Sequence, residues 1–202
     1  EIRFCDWSSD VCSSDLTFRL WAPRARRVDL IVEGQKERQQ LAATRDGWFE
    51  TLARGVGPGA RYRFRIDDEL DVPDPASRFQ PEGVTGPGEI LDPRSFAWPD
   101  SDWRGREWHE AVVYELHVGT FTREGTYTAA IERLDELAEI GITAIKLLPV
   151  NTFPGRWGWG YDGVLLYAPH PTYGRPEDLK RFVQAAHAGS RSEERRVGKE
   201  CR

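Results

Sequence analysis

Residues 151–175 form a loop whose side chains suit the binding of a sugar. Its sequence is NTFPGRWGWGYDGVLLYAPHPTYGR. The members that we single out are Trp157, Trp159, Tyr161, Asp162, Tyr167, His170 and Tyr173. Aromatic rings stack on the apolar face of a pyranose, and carboxylate and imidazole groups hydrogen-bond to its hydroxyls. Taken alone, this composition fits equally well an aromatic loop that only covers the end of a domain.

The glycines of this loop raise a second interpretation, a turn that binds phosphate. Such a turn needs Lys and then Ser or Thr directly after its last glycine, or it opens a helix immediately after a strand. Residues 155–163 show neither pattern. We therefore disfavour a phosphate site.

The residues before the loop predict a strand–helix–strand unit. The segments 111–118 and 142–150 are nearly continuous apolar runs, as expected for parallel strands that are buried on both faces. Between them, apolar residues recur at the three- and four-residue steps of a helix. Thr126 or Thr128 is the candidate N-cap of this helix, and Gly141 is placed to end it.

This order predicts a parallel, right-handed connection between the two strands. The loop 151–175 then lies at the carboxyl end of the second strand, and a second helix is expected to begin at Pro176. Active sites of (β/α)8 barrels are built from the loops at that end of the strands.

Residues 17–70 show the pattern of an all-β sandwich. Alternating apolar positions mark strands at 17–23, 28–32, 48–52 and 62–66. Short strands separated by turn signals about every ten residues are typical of a sandwich. Trp21 and Trp48 are candidates for stacking on a glucan, although we favour a role in core or interdomain packing.

Residues 71–109 are rich in Pro, Gly and Asp. Five prolines lie between positions 73 and 93, which excludes a helix or a central strand. We therefore predict an extended connector between a sandwich at 17–70 and a second domain at 110–189.

The two ends differ in character from the rest of the chain. Residues 1–16 and 190–202 lack the patterning or the apolar content of a folded element, so we predict that both are disordered. Both resemble translated adapter sequence, and we interpret them as non-native; native flexible tails are the alternative. The three cysteines, Cys5, Cys12 and Cys201, lie only in these ends and predict neither a disulfide framework nor a zinc site.

Composition excludes several classes of function. The net charge is −5, without a Lys/Arg cluster that would follow a phosphate backbone, so no nucleic acid partner is expected. No apolar run is long enough to cross a membrane and no signal peptide is recognisable, so we expect a cytoplasmic protein without a membrane partner. No cofactor and no metal site are predicted.

Several phrases of the sequence resemble one family of glycoside hydrolases. FRLWAP, DGWFE, PDPASRFQPEGVTGPGEILDP, YELHVGTFTREGTY and WGYDGV occur here in the order found in malto-oligosyltrehalose trehalohydrolases, a family of the α-amylase superfamily. The resemblance covers residues 17–189. It implies a β-sandwich domain of the carbohydrate-binding type, followed by the first two βα units of a truncated (β/α)8 TIM barrel.

The resemblance also assigns roles to residues. Tyr161 corresponds to the ring that stacks on the sugar at the cleavage subsite, and Asp162 lines the same pocket. His117, at the end of the first strand, supports that pocket or is a packed, hydrogen-bonded histidine. Together with Trp157, Trp159 and His170, these residues form the expected substrate-binding set.

The implied substrate is an α-glucan, maltooligosyl trehalose, which is cleaved at the α-1,4 bond next to its trehalose end. In the superfamily the two catalytic carboxylates come from the fourth and fifth barrel strands, which we expect to lie beyond the end of this chain. The chain is therefore predicted to be an inactive fragment that contains no catalytic residue. The alternatives are a fragment of a 1,4-α-glucan branching enzyme and a non-catalytic glucan-binding module.

Overall fold

The computed structural model describes residues 15–99 and 103–200, with residues 190–200 described by their backbone alone. The chain divides into two compact units. The first ends at Asp92 and also includes Leu165–Ala168, and the second comprises Pro93–Val164 and the residues from Pro169 onward.

The first unit is built from eight short strands among the described residues. They are β1 (Leu16–Trp21), β2 (Val28–Val32), β3 (Gln39–Gln40), β4 (Ala42–Ala43), β5 (Trp48–Ala53), β6 (Arg61–Ile66), β7 (Leu70–Val72) and β8 (Gly88–Glu89). One sheet has the order β1-β5-β4. The other has the order β3-β2-β6-β7, with β8 also paired to β6. The strand pairs of both sheets are antiparallel.

Side chains from both sheets form one apolar core. In β1, Phe18 and Leu20 are buried while Arg19 and Trp21 point outward, because successive side chains of a strand alternate between its faces. The ring of Phe18 meets that of Tyr62 in the opposite sheet edge to face, with centroids 4.9 Å apart. The predicted β-sandwich is therefore present.

The predicted connector is largely part of this sandwich. Both β7 and β8 pair with β6, and the segment between them buries Ser77, Phe79 and Gln80. Polar side chains form its turns: the Asp74 carboxylate accepts hydrogen bonds from the Ala76 N–H at 2.8 Å and from the Tyr62 hydroxyl at 2.7 Å. Since side chains satisfy the backbone here, a Pro-rich segment packs without helix or long strand. Of the predicted connector, only residues 93–109 lie outside the first unit.

The second unit contains the predicted strand–helix–strand order. The elements that follow along the chain are β9 (Val113–Leu116), α1 (Val118–Phe121), α2 (Tyr127–Ile131), α3 (Leu134–Glu139), β10 (Ala144–Leu147), β11 (Asn151–Thr152), β12 (Leu165–Pro169) and α4 (Pro176–Glu200). Of β12, Leu165–Ala168 are grouped with the first unit. Three single 3-10 turns, one of them in the first unit, complete the described elements: Arg45–Gly47, Trp108–Glu110 and Pro171–Tyr173. β9 and β10 are parallel, with Val113 opposite Ala144 and Leu116 opposite Leu147. The parallel pairing is as predicted.

The helix between the strands is broken into two. Thr126 is its N-cap, because its hydroxyl accepts the Ala129 N–H at 3.2 Å. The break lies between α2 and α3, at Glu132 and Arg133, whose backbones stay in the right-handed region while the regular helix is interrupted. Gly141, at φ +90°, ends α3 as predicted, and the Ile142 N–H reaches back to the Leu137 carbonyl at 3.0 Å.

The core of the second unit is strongly aromatic. Its buried members are Leu116, Val118, Tyr127, Ala130, Leu134, Phe153, Tyr173 and Phe182. On the strand face that carries Val113, that residue remains 45% exposed, and Glu115 and Lys146 are exposed as well. The expectation that these strands are buried on both faces is therefore wrong for this chain, because among the described residues only one face of the pair is covered.

The last helix is longer than predicted. The backbone of α4 continues to Glu200, although we expected residues 190–202 to be disordered. Arg, Glu and Lys, which dominate this stretch, have high helix propensity, so the lack of apolar residues does not prevent a helical backbone. The expectations for residues 1–14, including Cys5 and Cys12, and for Cys201 fall outside the described residues. None of the described helices has the length and apolarity needed to cross a membrane.

We predict that Thr126→Ala destabilises the second unit by about 1 kcal/mol, because it leaves a helix N–H without its acceptor. Thr128→Ala is the matched control, since Thr128 is exposed and is not the cap. Urea unfolding followed by circular dichroism measures both changes. Equal midpoints for the two variants would show that the capping bond contributes nothing.

The partly buried Asp74 carboxyl predicts a pH-dependent stability for the sandwich. Burial raises the pKa of this carboxyl, against the opposing hydrogen bonds from Tyr62 and Ala76. In the unfolded chain the carboxyl loses its proton at about pH 3.9, whereas the folded unit holds the proton to higher pH. The folded state therefore binds more protons in this interval, and the contribution of Asp74 to stability falls as pH rises through it.

Asp74→Asn removes this titration while keeping groups that can pair with the Tyr62 hydroxyl and the Ala76 N–H. We expect the melting temperature of the variant, relative to the wild type, to increase between pH 4 and pH 7. Scanning calorimetry at several pH values measures the difference. A constant difference across the range would show that Asp74 is ionised in both states.

Candidate functional site

The candidate site lies where the two parallel strands end. His117 directly follows β9, and the loop 151–175 follows β10. The ends of this loop are joined by backbone hydrogen bonds from Val164 N–H to the Thr152 carbonyl and from His170 N–H to the Val150 carbonyl, both at 2.8 Å. The carboxyl ends of both strands therefore meet at one edge, as the sequence predicted.

A small cleft of about 60 Å³, open to solvent, lies at this edge. It is lined by His117, Gly119, Thr120, Glu124, Gly125, Arg156, Trp157, Gly158, Thr172 and Tyr173. Two of the predicted substrate-binding residues, His117 and Trp157, are among them. The other polar residues of the lining come from two segments, one after β9 and one after β10. The cleft therefore forms only when the two strands are brought together by folding.

His117 and Tyr173 form the floor of the cleft. The Tyr173 hydroxyl lies 3.3 Å from His117 Nε2, and the Thr120 hydroxyl lies 3.4 Å from His117 Nδ1. Tyr173 is 3% exposed, and burial raises the pKa of its hydroxyl. Both ring nitrogens of His117 thus face a hydroxyl, so this imidazole is oriented by its neighbours.

Three aromatic residues of the predicted substrate-binding set are exposed to solvent. Trp157, Trp159 and Tyr161 are 75%, 86% and 74% exposed. Single exposed aromatic side chains are common, but several close together along one segment are typical of a binding surface. Trp159 and Tyr161 lie on the exposed part of the loop, outside the lining of the cleft.

Asp162 stabilises the turn of this aromatic loop. Its Oδ2 atom accepts the Trp159 backbone N–H at 3.0 Å. The carboxylate is exposed and does not line the cleft. Its observed contact is therefore within a local turn that holds the Trp159 backbone, and the pocket-lining role that the resemblance implies stays a prediction.

His170 is not available to a substrate. It is 2% exposed, its Nδ1 accepts the Thr172 N–H at 3.2 Å, and its Nε2 lies 3.0 Å from the Gly155 carbonyl. Since Nδ1 accepts, Nε2 carries the proton and donates to Gly155. Burial lowers the pKa of this imidazole, which favours the neutral form. The expectation that His170 binds substrate is wrong, because both of its nitrogens hold the loop together.

Two glycines allow the loop to approach the floor. Gly160 has φ +84°, and a Cβ atom there would lie 3.1 Å from His117 Cδ2. At Gly163 a Cβ atom would overlap the side chain of Asn151. The spacing WGWGYDG therefore reflects close packing of backbone against side chains and not a phosphate cradle.

The sequence analysis missed four polar residues of the cleft: Thr120, Glu124, Arg156 and Thr172. Their signal was available, since Thr120 and Glu124 follow the first strand and Arg156 and Thr172 follow the second. Residues after neighbouring parallel strands lie at the same edge.

The sandwich carries a separate aromatic surface. Trp21 and Trp48 are register partners on the outer face of the β1–β5 pair, and the Arg19 guanidinium lies 5.0 Å from the Trp48 ring. Trp21 is 59% exposed, so it does not belong to the core, while its expected role in interdomain packing stays a prediction. The physical reason is the register, which places it on the opposite face from Leu20.

Two family models match separate segments of the chain. The model of carbohydrate-binding module 48, the isoamylase N-terminal domain, matches residues 5–79. The model of the alpha amylase catalytic domain matches residues 90–190. The division between the two matches falls near Asp92, where the first compact unit ends.

Curated malto-oligosyltrehalose trehalohydrolases are 40–50% identical to this chain. The one from Arthrobacter ramosus is 50% identical over 175 residues, which are 85% of this chain and 30% of the relative. A 1,4-alpha-glucan branching enzyme of Rubrobacter xylanophilus is 33% identical over 196 residues, 88% of this chain and 27% of the relative. The chain thus spans about 30% of the length of the curated relatives that it matches.

A solved structure supports the same assignment. The crystal structure of a Salmonella typhimurium protein described as an alpha amylase has a TM-score of 0.86 and 47% identity to the chain, and the match covers 92% of this chain and 31% of that one. The chain therefore belongs to the α-amylase family, and within that family it resembles the malto-oligosyltrehalose trehalohydrolases.

Proposed function

We propose that this chain is the sugar-binding part of a glycoside hydrolase that releases trehalose from maltooligosyl trehalose. The reaction is hydrolysis of the α-1,4 bond next to the trehalose end and needs no cofactor. The observation that carries the proposal is the solvent-exposed row Trp157, Trp159 and Tyr161 beside a polar cleft at the carboxyl edge of two parallel strands. The names and the 40–50% identity of the trehalohydrolase relatives support the choice of substrate.

The aromatic row binds glucan by burying the apolar faces of sugar rings. Each ring–ring contact contributes about 0.5–1.5 kcal/mol, so several weak contacts along a chain of glucose units add to useful affinity. Polar groups of the cleft bind the hydroxyls and fix the register of the chain. In this proposal Tyr161 stacks at the cleavage subsite, Trp157 and Trp159 extend the platform, and Asp162 and His117 line and orient it.

The strand–helix–strand order supports a second part of the proposal. β9, the helices α1–α3, β10 and α4 correspond to the first two βα units of a (β/α)8 barrel. In such a barrel the exposed face of the β9–β10 pair turns inward. The ion pair of Glu115 with Lys146 then lies inside the barrel, since these residues point away from the helices.

Hydrolysis with retention requires two carboxylates about 5–5.5 Å apart, one on each side of the bond. Among the described residues, the cleft is lined by one acid, Glu124, while Asp162 is engaged with the Trp159 backbone. We therefore propose that the chain binds substrate but does not cleave it by itself. A branching enzyme would use the same binding surface, and the 33% identity of that relative makes it the weaker candidate.

A glucan-binding role of the sandwich alone is the second candidate. The exposed Trp21 beside Trp48 favours it, because two neighbouring indoles on a flat sheet face suit a sugar chain. The two candidates place the ligand on different units, so they are separable by mutation.

We predict that Trp159→Ala and Tyr161→Ala each weaken maltotetraose binding by the 202-residue chain about fivefold, since each removes roughly 1 kcal/mol of stacking. Titration followed by ¹H–¹⁵N spectra measures the affinity and shows that the fold is retained. Trp108→Ala, an equally exposed indole outside the loop, is the matched control and should leave affinity unchanged. Loss of binding in Trp21→Ala, with the two loop variants unaffected, would favour the sandwich instead.

We predict that the purified chain releases no trehalose from maltooligosyl trehalose, because the cleft offers one carboxylate where two are needed. A coupled trehalose assay with intact malto-oligosyltrehalose trehalohydrolase as the positive control measures this. Release that increases in proportion to the concentration of the chain would overturn the proposal of an inactive binding part.

A further inference from the structure

The floor of the cleft has its polar groups engaged within the protein. His117 faces the hydroxyls of Tyr173 and Thr120, and the Thr172 hydroxyl lies 2.8 Å from His170 Nδ1. A group whose hydrogen bonds are already made offers little to a ligand, since a new bond would first break an old one. The floor is therefore a rigid base, and recognition must come from other members of the lining.

Glu124 and Arg156 differ from the floor. Both side chains are exposed, and within the part of the chain whose side chains are described neither has a hydrogen-bond or ion-pair partner. Two other exposed arginines of the same unit are paired, Arg133 with Glu136 and Arg181 with Asp178, both at 2.6 Å. A carboxylate and a guanidinium thus line one cleft without neutralising each other or another side chain.

Both groups are held in place by their backbones and neighbours. Glu124 precedes Gly125, whose N–H donates to the Thr122 hydroxyl at 3.1 Å. A Cβ atom at position 125 would lie 2.9 Å from the carbonyl oxygen of Gly119, which lines the cleft, so this turn packs closely against the lining residues. The Arg156 guanidinium lies 5.0 Å from the centre of the Trp157 ring. Stacking restricts the guanidinium to one side of the indole, which leaves its N–H groups at the ring edge.

The two charges together define the chemistry of the ligand. A phosphate or carboxylate would gain from Arg156 but meet repulsion from Glu124, and a cation would meet the reverse. A neutral molecule with adjacent hydroxyls satisfies both, since a carboxylate accepts two O–H groups and a guanidinium donates to hydroxyl oxygens in a fixed fork. Trp157 in the same lining supplies the surface for the apolar face of such a ring.

We infer that Glu124 and Arg156 are the specificity-determining residues of this cleft and that they bind the hydroxyls of one uncharged glucose unit. The Glu124 carboxylate accepts from two adjacent hydroxyls, and Arg156 donates to an oxygen of the same ring while Trp157 covers its face. This inference rests on the proposed glucan-binding function and adds to it the residues that select a neutral sugar over a sugar phosphate.

The experiment is a titration of the 202-residue chain with maltotetraose and, separately, with glucose 1-phosphate, followed by ¹H–¹⁵N spectra that also report folding. Glu124→Gln and Arg156→Met each remove one charge with little change of shape. We expect each to weaken maltotetraose binding about tenfold, the effect of losing a charged hydrogen bond of about 1.5 kcal/mol. Glu124→Gln should also bring glucose 1-phosphate binding up towards that of maltotetraose.

Glu132→Gln and Arg123→Met are the matched controls, since both residues are exposed in the same unit and lie outside the lining. They should bind maltotetraose as the wild type does. If maltotetraose shifts the signals of Trp159 and Tyr161 while Glu124→Gln and Arg156→Met bind normally, the inference fails and the proposed function stands. If maltotetraose shifts no signal of either loop in the wild type, the proposed function itself fails. Stronger binding of glucose 1-phosphate than of maltotetraose by the wild type would show an anion site instead.

Discussion

The candidate site depends on the contacts of the buried Tyr173 side chain. Its ring meets those of His117 and Tyr127 edge to face, with centroids 5.9 and 6.2 Å apart, and its hydroxyl lies 3.3 Å from His117 Nε2. Position 119, beside the Tyr173 ring, has room only for glycine. One side chain thus joins the end of the aromatic loop to the end of the first parallel strand. Without that contact the two loops that line the cleft would have no common base.

The two units are stabilised by different means. The sandwich has an apolar core and an outer face of paired charges, such as Arg65 with Asp71 and Arg61 with Glu82, each at 2.5 Å. It even buries one carboxylate, Asp29, which is paired with Arg27 at 3.1 Å. A buried charge of this kind is tolerated because its partner compensates the lost hydration, not because the pair adds much stability.

The second unit relies on aromatic packing around short helices. Tyr127 is fully buried, and among the described side chains its hydroxyl has no hydrogen-bond partner. Burial raises the pKa of this phenol well above its ordinary value. The unsatisfied hydroxyl and the exposed face of the β9–β10 pair are both unfavourable for the stability of this unit. The exposed aromatic row adds to that cost, which is typical of surfaces retained for binding.

The sequence by itself determined the elements whose signals are local. Four strands of the sandwich (β1, β2, β5 and β6), the stop at Gly141 and the helix start at Pro176 follow from side-chain periodicity and terminal residues, which also narrowed the cap to Thr126 or Thr128. The aromatic loop was also identified from its letters alone. These features depend on neighbours within a few residues, which is the range over which sequence patterns carry physical information.

Only the tertiary structure decided which side chains meet. The sequence placed His170 in the site, but folding buries it and uses both of its nitrogens within the loop. It described residues 71–109 as a connector, but hydrogen bonds to β6 and the Asp74 turn hold most of that segment on the sandwich. It overlooked Glu124 and Arg156, because they are separated along the chain by two helices and two strands (α2, α3, β10 and β11) and come together only when β9 and β10 pair in parallel. Contacts of this range depend on strand order and register, which no local pattern encodes.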